Sequence, residues 1–94
     1  MSKREQRMEV LFSGHVQGVG FRYTACSIAH GIGVTGFVEN LSDGRVGLTV
    51  EGPGEAVDRC VAEILDRMQG LVRHTETTTS EGTGEFCDFR VRYG

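Results

Sequence analysis

The chain has no tryptophan, a single proline and only three cysteines among its 94 residues. Cys26, Cys60 and Cys87 are far apart and odd in number, so they form neither a metal-ligand spacing nor a disulfide framework. The sequence therefore predicts three reduced thiols and no bound metal or other cofactor.

Long apolar runs and an excess of positive charge are also missing. No segment is long enough to span a membrane, and the polar start of the chain does not resemble a secretory signal. Thirteen acidic residues outweigh ten lysines and arginines, and the net charge of −3 argues against nucleic acid or an anionic membrane as a partner. These absences predict a cytoplasmic protein with no membrane and no nucleic-acid partner.

The length and composition of the chain indicate one small domain. At this length roughly 60–65% of the surface of the unfolded chain can be buried, which is enough for one modest core. Residues 1–7 are polar and are expected to form a flexible N-terminus, whereas residues 8–94 are expected to form a single domain. We expect this domain to be a monomer.

Hydrophobic periodicity predicts the element order β-α-β-β-α-β-β. Gly31 favours a left-handed stop for the first helix, and Pro53 suits the first turn of the second. The pattern predicts an α+β, ferredoxin-like βαββαβ sandwich, with two helices packed on one face of a four- to five-stranded antiparallel sheet. The predicted strands are 7–13, 34–41, 45–51, 71–80 and 86–93, and the predicted helices are 22–31 and an apolar stripe over 56–68.

Fourteen glycines are many for this length, and the most informative cluster of them lies at residues 14–22. Gly14, Gly18, Gly20 and Arg22 occupy the turn between an alternating strand pattern and a helical pattern. Such a turn can aim several backbone N–H groups at one point, beside a guanidinium and the positive end of a helix dipole. This arrangement indicates a phosphate pocket, and its alternative is a glycine-rich connector with an exposed arginine.

A second polar position lies near the end of the second predicted strand. In a ferredoxin-like fold, Asn40 can lie beside the 14–22 loop and contribute its side-chain amide. Its alternative role is to start the turn that contains Asp43 and Gly44, where asparagine is common.

Together the two segments resemble the acylphosphatase family. The family's first motif is Gly-x-Val-Gln-Gly-Val-x-Phe-Arg, and its second has a glycine, an aromatic, a small apolar residue, a variable position and Asn, followed by Gly-x-Val and a later Gly. The end of the chain, Phe89-x-Val91-Arg92-Tyr93, is also similar to the family's. The matching positions of the two motifs are Gly14, Val16, Gln17, Gly18, Val19, Phe21, Arg22, Gly36, Phe37, Val38, Asn40, Gly44, Val46 and Gly52.

The resemblance implies an enzyme that hydrolyses a small-molecule acyl phosphate to a carboxylate and inorganic phosphate without a metal. Arg22 is expected to bind the phosphoryl oxygens together with the loop N–H groups, and Asn40 to hold the attacking water. The side chain of His15 is expected to face solvent. The remaining residues implied in substrate binding are His15, Val16, Gln17, Gly18, Val19, Gly20 and Phe21.

Glu39 departs from the family, where this position is usually basic, neutral or small. Its negative charge would weaken phosphate binding unless the side chain points away from the pocket. Two other functions are compatible with the sequence. One is a non-catalytic module that binds a phosphorylated or carboxylate ligand, although such a module needs no water-positioning amide. The other is the first domain of a larger carbamoyl-phosphate-handling maturation protein, which a 94-residue chain does not favour.

Overall fold

Five strands and two helices follow one another in the computed structural model, which describes residues 5–93. The sheet order is β4-β1-β3-β2-β5, with α1 packed against β2 and β5 and α2 packed against β1 and β3. The predicted ferredoxin-like α+β fold is thereby confirmed. The elements are β1 (Glu5–Gly14), α1 (Phe21–Ile32), β2 (Thr35–Asn40), β3 (Val46–Pro53), α2 (Gly54–Arg67), β4 (Val72–Glu81) and β5 (Phe89–Arg92).

The sheet is mixed, so the prediction that all its strands are antiparallel is wrong for one pair. β2 and β5 run parallel, and the other neighbouring strands run antiparallel. The cause is the connection from β4 to β5, which crosses from one edge of the sheet to the other along the end where β1 begins. There the N–H of Gly82 donates to the carbonyl of Glu5.

Alternating apolar residues build the core between the sheet and the helices. Val10 and Phe12 on β1 pair in register with Leu48 and Val46 on β3, and all four are buried. The predicted stripe on α2 is confirmed by the burial of Val57, Cys60, Ile64 and Met68, the last just beyond the helix. Burial raises the pKa of the Cys60 thiol to about 11, which keeps that thiol protonated near neutral pH.

Several predicted boundaries move. Gly31 lies inside α1, and the left-handed residue after the helix is Gly33, with a φ of 94°. Pro53 precedes the first turn of α2 instead of lying within it. β1 begins at Glu5, so residues 5–7 of the predicted flexible N-terminus pair with β3, and residues 1–4 of that prediction lie outside the described residues.

A buried carboxylate holds the crossing segment between β4 and β5 in place. Glu51 on β3 is 2% exposed, and its carboxylate accepts hydrogen bonds from the backbone N–H groups of Thr83 and Gly84, each at 2.9 Å. It also accepts from the Thr83 hydroxyl at 2.8 Å and pairs with Arg7 at 3.1 Å. A single side chain therefore fixes the path that leads the chain to β5.

The buried carboxylate of Glu51 makes the stability of the fold depend on pH. Burial alone would raise the pKa of Glu51, but hydrogen bonds from Gly84 and Thr83 and the contact with Arg7 outweigh it and lower that pKa. A carboxyl whose pKa is lower in the folded state stabilises the fold above its unfolded pKa of about 4.3, and this contribution is lost as the pH falls through the lowered value.

We expect Glu51→Gln to lower the free energy of unfolding at pH 7 by about 2–3 kcal/mol, because the amide presents N–H groups to donors. Urea unfolding at pH 7 and below pH 4 measures this, and the difference between the two proteins should narrow in acid. The matched control is Glu9→Gln, which removes only an exposed pair between Glu9 and Arg7. If both variants lost the same free energy of unfolding, Glu51 would not hold the crossing segment in place.

Candidate active site

Arg22 and Asn40 line the same cavity, at the end of the sheet opposite to the crossing segment. Arg22 lies in the first turn of α1, and Asn40 is the last residue of β2. The cavity has a volume of about 190 Å³. Since one water molecule takes about 30 Å³ of liquid volume, a phosphate group and a water molecule fit together. The lining residues are Val16, Gly18, Gly20, Phe21, Arg22, Tyr23, Asn40, Val91 and Tyr93.

The loop that precedes α1 presents its backbone to this cavity. Gly18 and Gly20 each have a φ of 77°, a left-handed conformation that glycine adopts without strain. Within residues 5–93, no hydrogen bond uses the backbone N–H groups of residues 17–22, and the first helical bond runs from Thr24 N–H to Gly20. Free N–H groups at a helix N-terminus are a site for an anion.

The guanidinium of Arg22 is held by an aromatic ring. Its Cζ lies 5.2 Å from the centroid of the Tyr93 ring. No carboxylate in the described part of the chain forms an ion pair with it. Arg22 therefore keeps its N–H donors for a ligand, and a guanidinium suits the oxygens of a phosphoryl group.

Alternation along β2 decides which neighbours of Asn40 share the cavity. Val38 is buried against the helices, so Asn40, two residues on, projects from the same face. Among the described side chains, none forms a hydrogen bond with the amide of Asn40. Glu39 projects from the opposite face, as does Phe37, whose ring lies 3.6 Å from Cζ of Arg92. The charge of Glu39 thus points away from the cavity.

The loop residues predicted to bind substrate divide into three groups. Val16 and Phe21 line the cavity and are also buried in the core, where the Phe21 ring lies 4.9 Å from that of Phe12. Gly18 and Gly20 line it with backbone. His15 lies outside it and is exposed, and its N–H donates to the carbonyl of Leu71 at 2.8 Å, which removes that donor from any anion site. Val19 packs against the core and also lies outside the lining.

The side chain of Gln17 faces away from the cavity and joins two loops. Its Nε2 donates to the carbonyl of Leu41 at 2.8 Å and to that of Arg45 at 2.9 Å. Those carbonyls lie in the turn that directly follows Asn40. Gln17 therefore acts as a positioning residue that fixes the loop relative to the end of β2, and only its backbone is left to face an anion.

We expect Gln17→Met to lower kcat by about tenfold with a smaller change in KM, because the size is kept while two hydrogen bonds between the loops are lost. Steady-state kinetics with an acyl phosphate measures the split. Gln69→Met is the matched control, since Gln69 binds only the exposed Asp66 at 3.0 Å. A change confined to KM would instead assign Gln17 a direct role in binding.

Three residues of the lining were not among the residues predicted from the sequence. Tyr23 directly follows Arg22 on α1, and this adjacency could have been used to predict it. Val91 and Tyr93 reach the cavity because β5 runs parallel to β2, where Glu39 pairs with Arg92. That pairing carried no signal in the sequence.

Known proteins resemble this chain in sequence and in fold. A family model described as acylphosphatase matches residues 8–91. An acylphosphatase of Methylococcus capsulatus is 42% identical over 91 residues, which are 92% of this chain and 95% of the relative. The chain therefore belongs to the acylphosphatase family. It is a hydrolase of the class that acts on acid anhydrides.

Solved structures agree with the fold. The crystal structure of an acylphosphatase from Bacillus subtilis superposes with a TM-score of 0.87 at 30% identity, covering 94% of this chain and 99% of that one. Full-length HypF, solved in a phosphate- and nucleotide-bound form, gives 0.87 at 26% identity, covering 98% of this chain but 12% of that protein. No helix in residues 5–93 is long and apolar enough to cross a membrane.

Proposed function

We propose that the protein hydrolyses the carboxyl–phosphate bond of a small acyl phosphate in the cavity shared by Arg22 and Asn40. The observation that carries the proposal is the convergence on one space of three sets of groups that have no hydrogen-bond partner among residues 5–93. They are the guanidinium of Arg22, the amide of Asn40 and the loop N–H groups that precede α1. An anion donor set and a separate amide in one cavity suit a phosphoryl group and a water molecule.

Arg22 and the N–H groups of residues 17–22 bind the phosphoryl oxygens, where charge is spread in the transition state. Asn40 orients the water that attacks phosphorus. The bond between phosphorus and the acyl oxygen breaks, the carboxylate leaves with the electron pair, and the proton of the water passes to a phosphoryl oxygen. A carboxylate is a good leaving group, so this mechanism needs no general acid, metal or cofactor.

Benzoyl phosphate hydrolysis tests the proposal. We expect the protein to accelerate release of inorganic phosphate far beyond the spontaneous rate, with and without a chelator. Phosphate binding without turnover would instead indicate a non-catalytic binding module, and activity abolished by the chelator would overturn the metal-free mechanism.

The proposal also covers the cellular location, the oligomeric state and the partners of the enzyme. We assign the enzyme to the cytoplasm, as a monomer that acts on a small molecule and has no nucleic-acid partner. The net charge of −3 supports the last point, because the cavity is a local anion site on a chain without a general positive field.

A further inference from the structure

Two exposed aromatic rings stand at the mouth of the cavity. Tyr23 is 80% exposed and Tyr93 is 79% exposed, and they are the large hydrophobic side chains that the described part of the chain leaves open to solvent. Both belong to the lining that contains Arg22 and Asn40. Aromatic rings expose much apolar area, and a ligand that covers them gains from their burial.

The charge of the lining restricts what can bind beside the phosphoryl group. Arg22 is its one charged residue, and the proposed mechanism uses that charge on the phosphoryl oxygens. Within this lining, a second anionic group on the substrate would lie against the uncharged Tyr23, Val91 and Tyr93, because the neighbouring Arg92 is stacked on Phe37. The lining therefore disfavours acyl groups that carry a carboxylate or a second phosphate.

The two rings are held differently. One face of the Tyr93 ring lies under the guanidinium of Arg22, so that face is not available to a ligand. Tyr23 is on the exposed side of the first turn of α1, and no ring or cation contact of the described residues involves it. The Tyr23 ring is the one free to cover a ligand that projects from the phosphoryl position toward solvent.

The geometry points to an acyl-group subsite, formed by Tyr23 and the outer part of Tyr93, that selects uncharged, planar aromatic acyl groups. This inference rests on the proposed function, because it concerns the part of the substrate beyond the phosphoryl group. Tyr23 then determines specificity, and Tyr93 both lines the subsite and supports Arg22.

The test compares kcat/KM for benzoyl phosphate, acetyl phosphate and succinyl phosphate. In Tyr23→Ala, the ratio for benzoyl over acetyl phosphate should fall about five- to tenfold, and Tyr23→Phe should restore it because the ring is kept. In Tyr23→Lys, the ratio for succinyl over acetyl phosphate should rise about threefold, and the rise should shrink at high salt. Ser27→Ala, one turn further along α1 on its exposed side, is the matched control and should leave both ratios unchanged.

Binding gives a readout without turnover. Phenyl phosphate should bind the wild-type protein more tightly than methyl phosphate does, and Tyr23→Ala should remove most of that difference. Hydrolysis of all three substrates with ratios that do not respond to Tyr23 would overturn the subsite and leave the proposed function standing. Hydrolysis of none of them would overturn the proposed function and the subsite with it.

Discussion

Arg22→Ala is expected to abolish detectable phosphate binding and to lower kcat/KM for benzoyl phosphate by more than about 100-fold, a loss of about 3 kcal/mol or more. The guanidinium is the one charged group in the lining, so no neighbour replaces it. Steady-state kinetics and calorimetric titration with inorganic phosphate measure the two effects.

Arg22→Lys separates charge from geometry. It should recover only part of the loss, because an ammonium group does not bind two phosphoryl oxygens in one plane. Arg59→Ala is the control, since Arg59 lies on the exposed face of α2 and pairs with Glu63 at 2.7 Å. Activity retained in the Arg22→Ala variant would end the assignment of this cavity as the active site.

Asn40→Ala is expected to lower kcat by about 100-fold and to leave the affinity for inorganic phosphate within about threefold of wild type. Removal of one preorganised hydrogen-bonding group typically costs this much in turnover. Phosphate affinity should persist because Arg22 and the loop N–H groups are unchanged. Inhibition of benzoyl phosphate hydrolysis by inorganic phosphate measures both quantities in one experiment.

The neighbouring residue supplies the control. Glu39→Gln changes a side chain on the opposite face of β2 and should leave kcat and phosphate affinity within about twofold. If Asn40→Ala loses phosphate affinity as strongly as turnover, Asn40 binds the phosphoryl group and does not position water. If Glu39→Gln improves phosphate binding markedly, the charge of Glu39 does reach the cavity.

Local patterns predicted most of the fold. The stripe on α2 and the alternation along β1 each identify the buried face of one element, because burial there follows from position in the chain. The parallel pairing of β5 with β2 was not predictable in this way. It joins residues more than fifty positions apart in the chain, such as Gly36 and Phe89, and only the folded sheet brings them together.

The candidate site was also predictable only in part. The two motifs and the family resemblance predicted Arg22 and Asn40 as site residues, and the structure brings both to one cavity. The hydrogen bonds of Gln17 to Leu41 and Arg45 had no signal, because they join loops that only the folded sheet brings together. The same holds for His15, whose N–H binds Leu71 from the segment before β4.

Hydrolysis of benzoyl phosphate in water enriched in ¹⁸O tests the central claim most directly, because it shows whether water attacks phosphorus or the carbonyl carbon. In the proposed mechanism Arg22 and the loop bind the phosphoryl group, and Asn40 lines the same cavity. Mass spectrometry of the products should find one ¹⁸O in inorganic phosphate and none in benzoate. Label in benzoate would place the attack at the carbonyl carbon and would contradict the account.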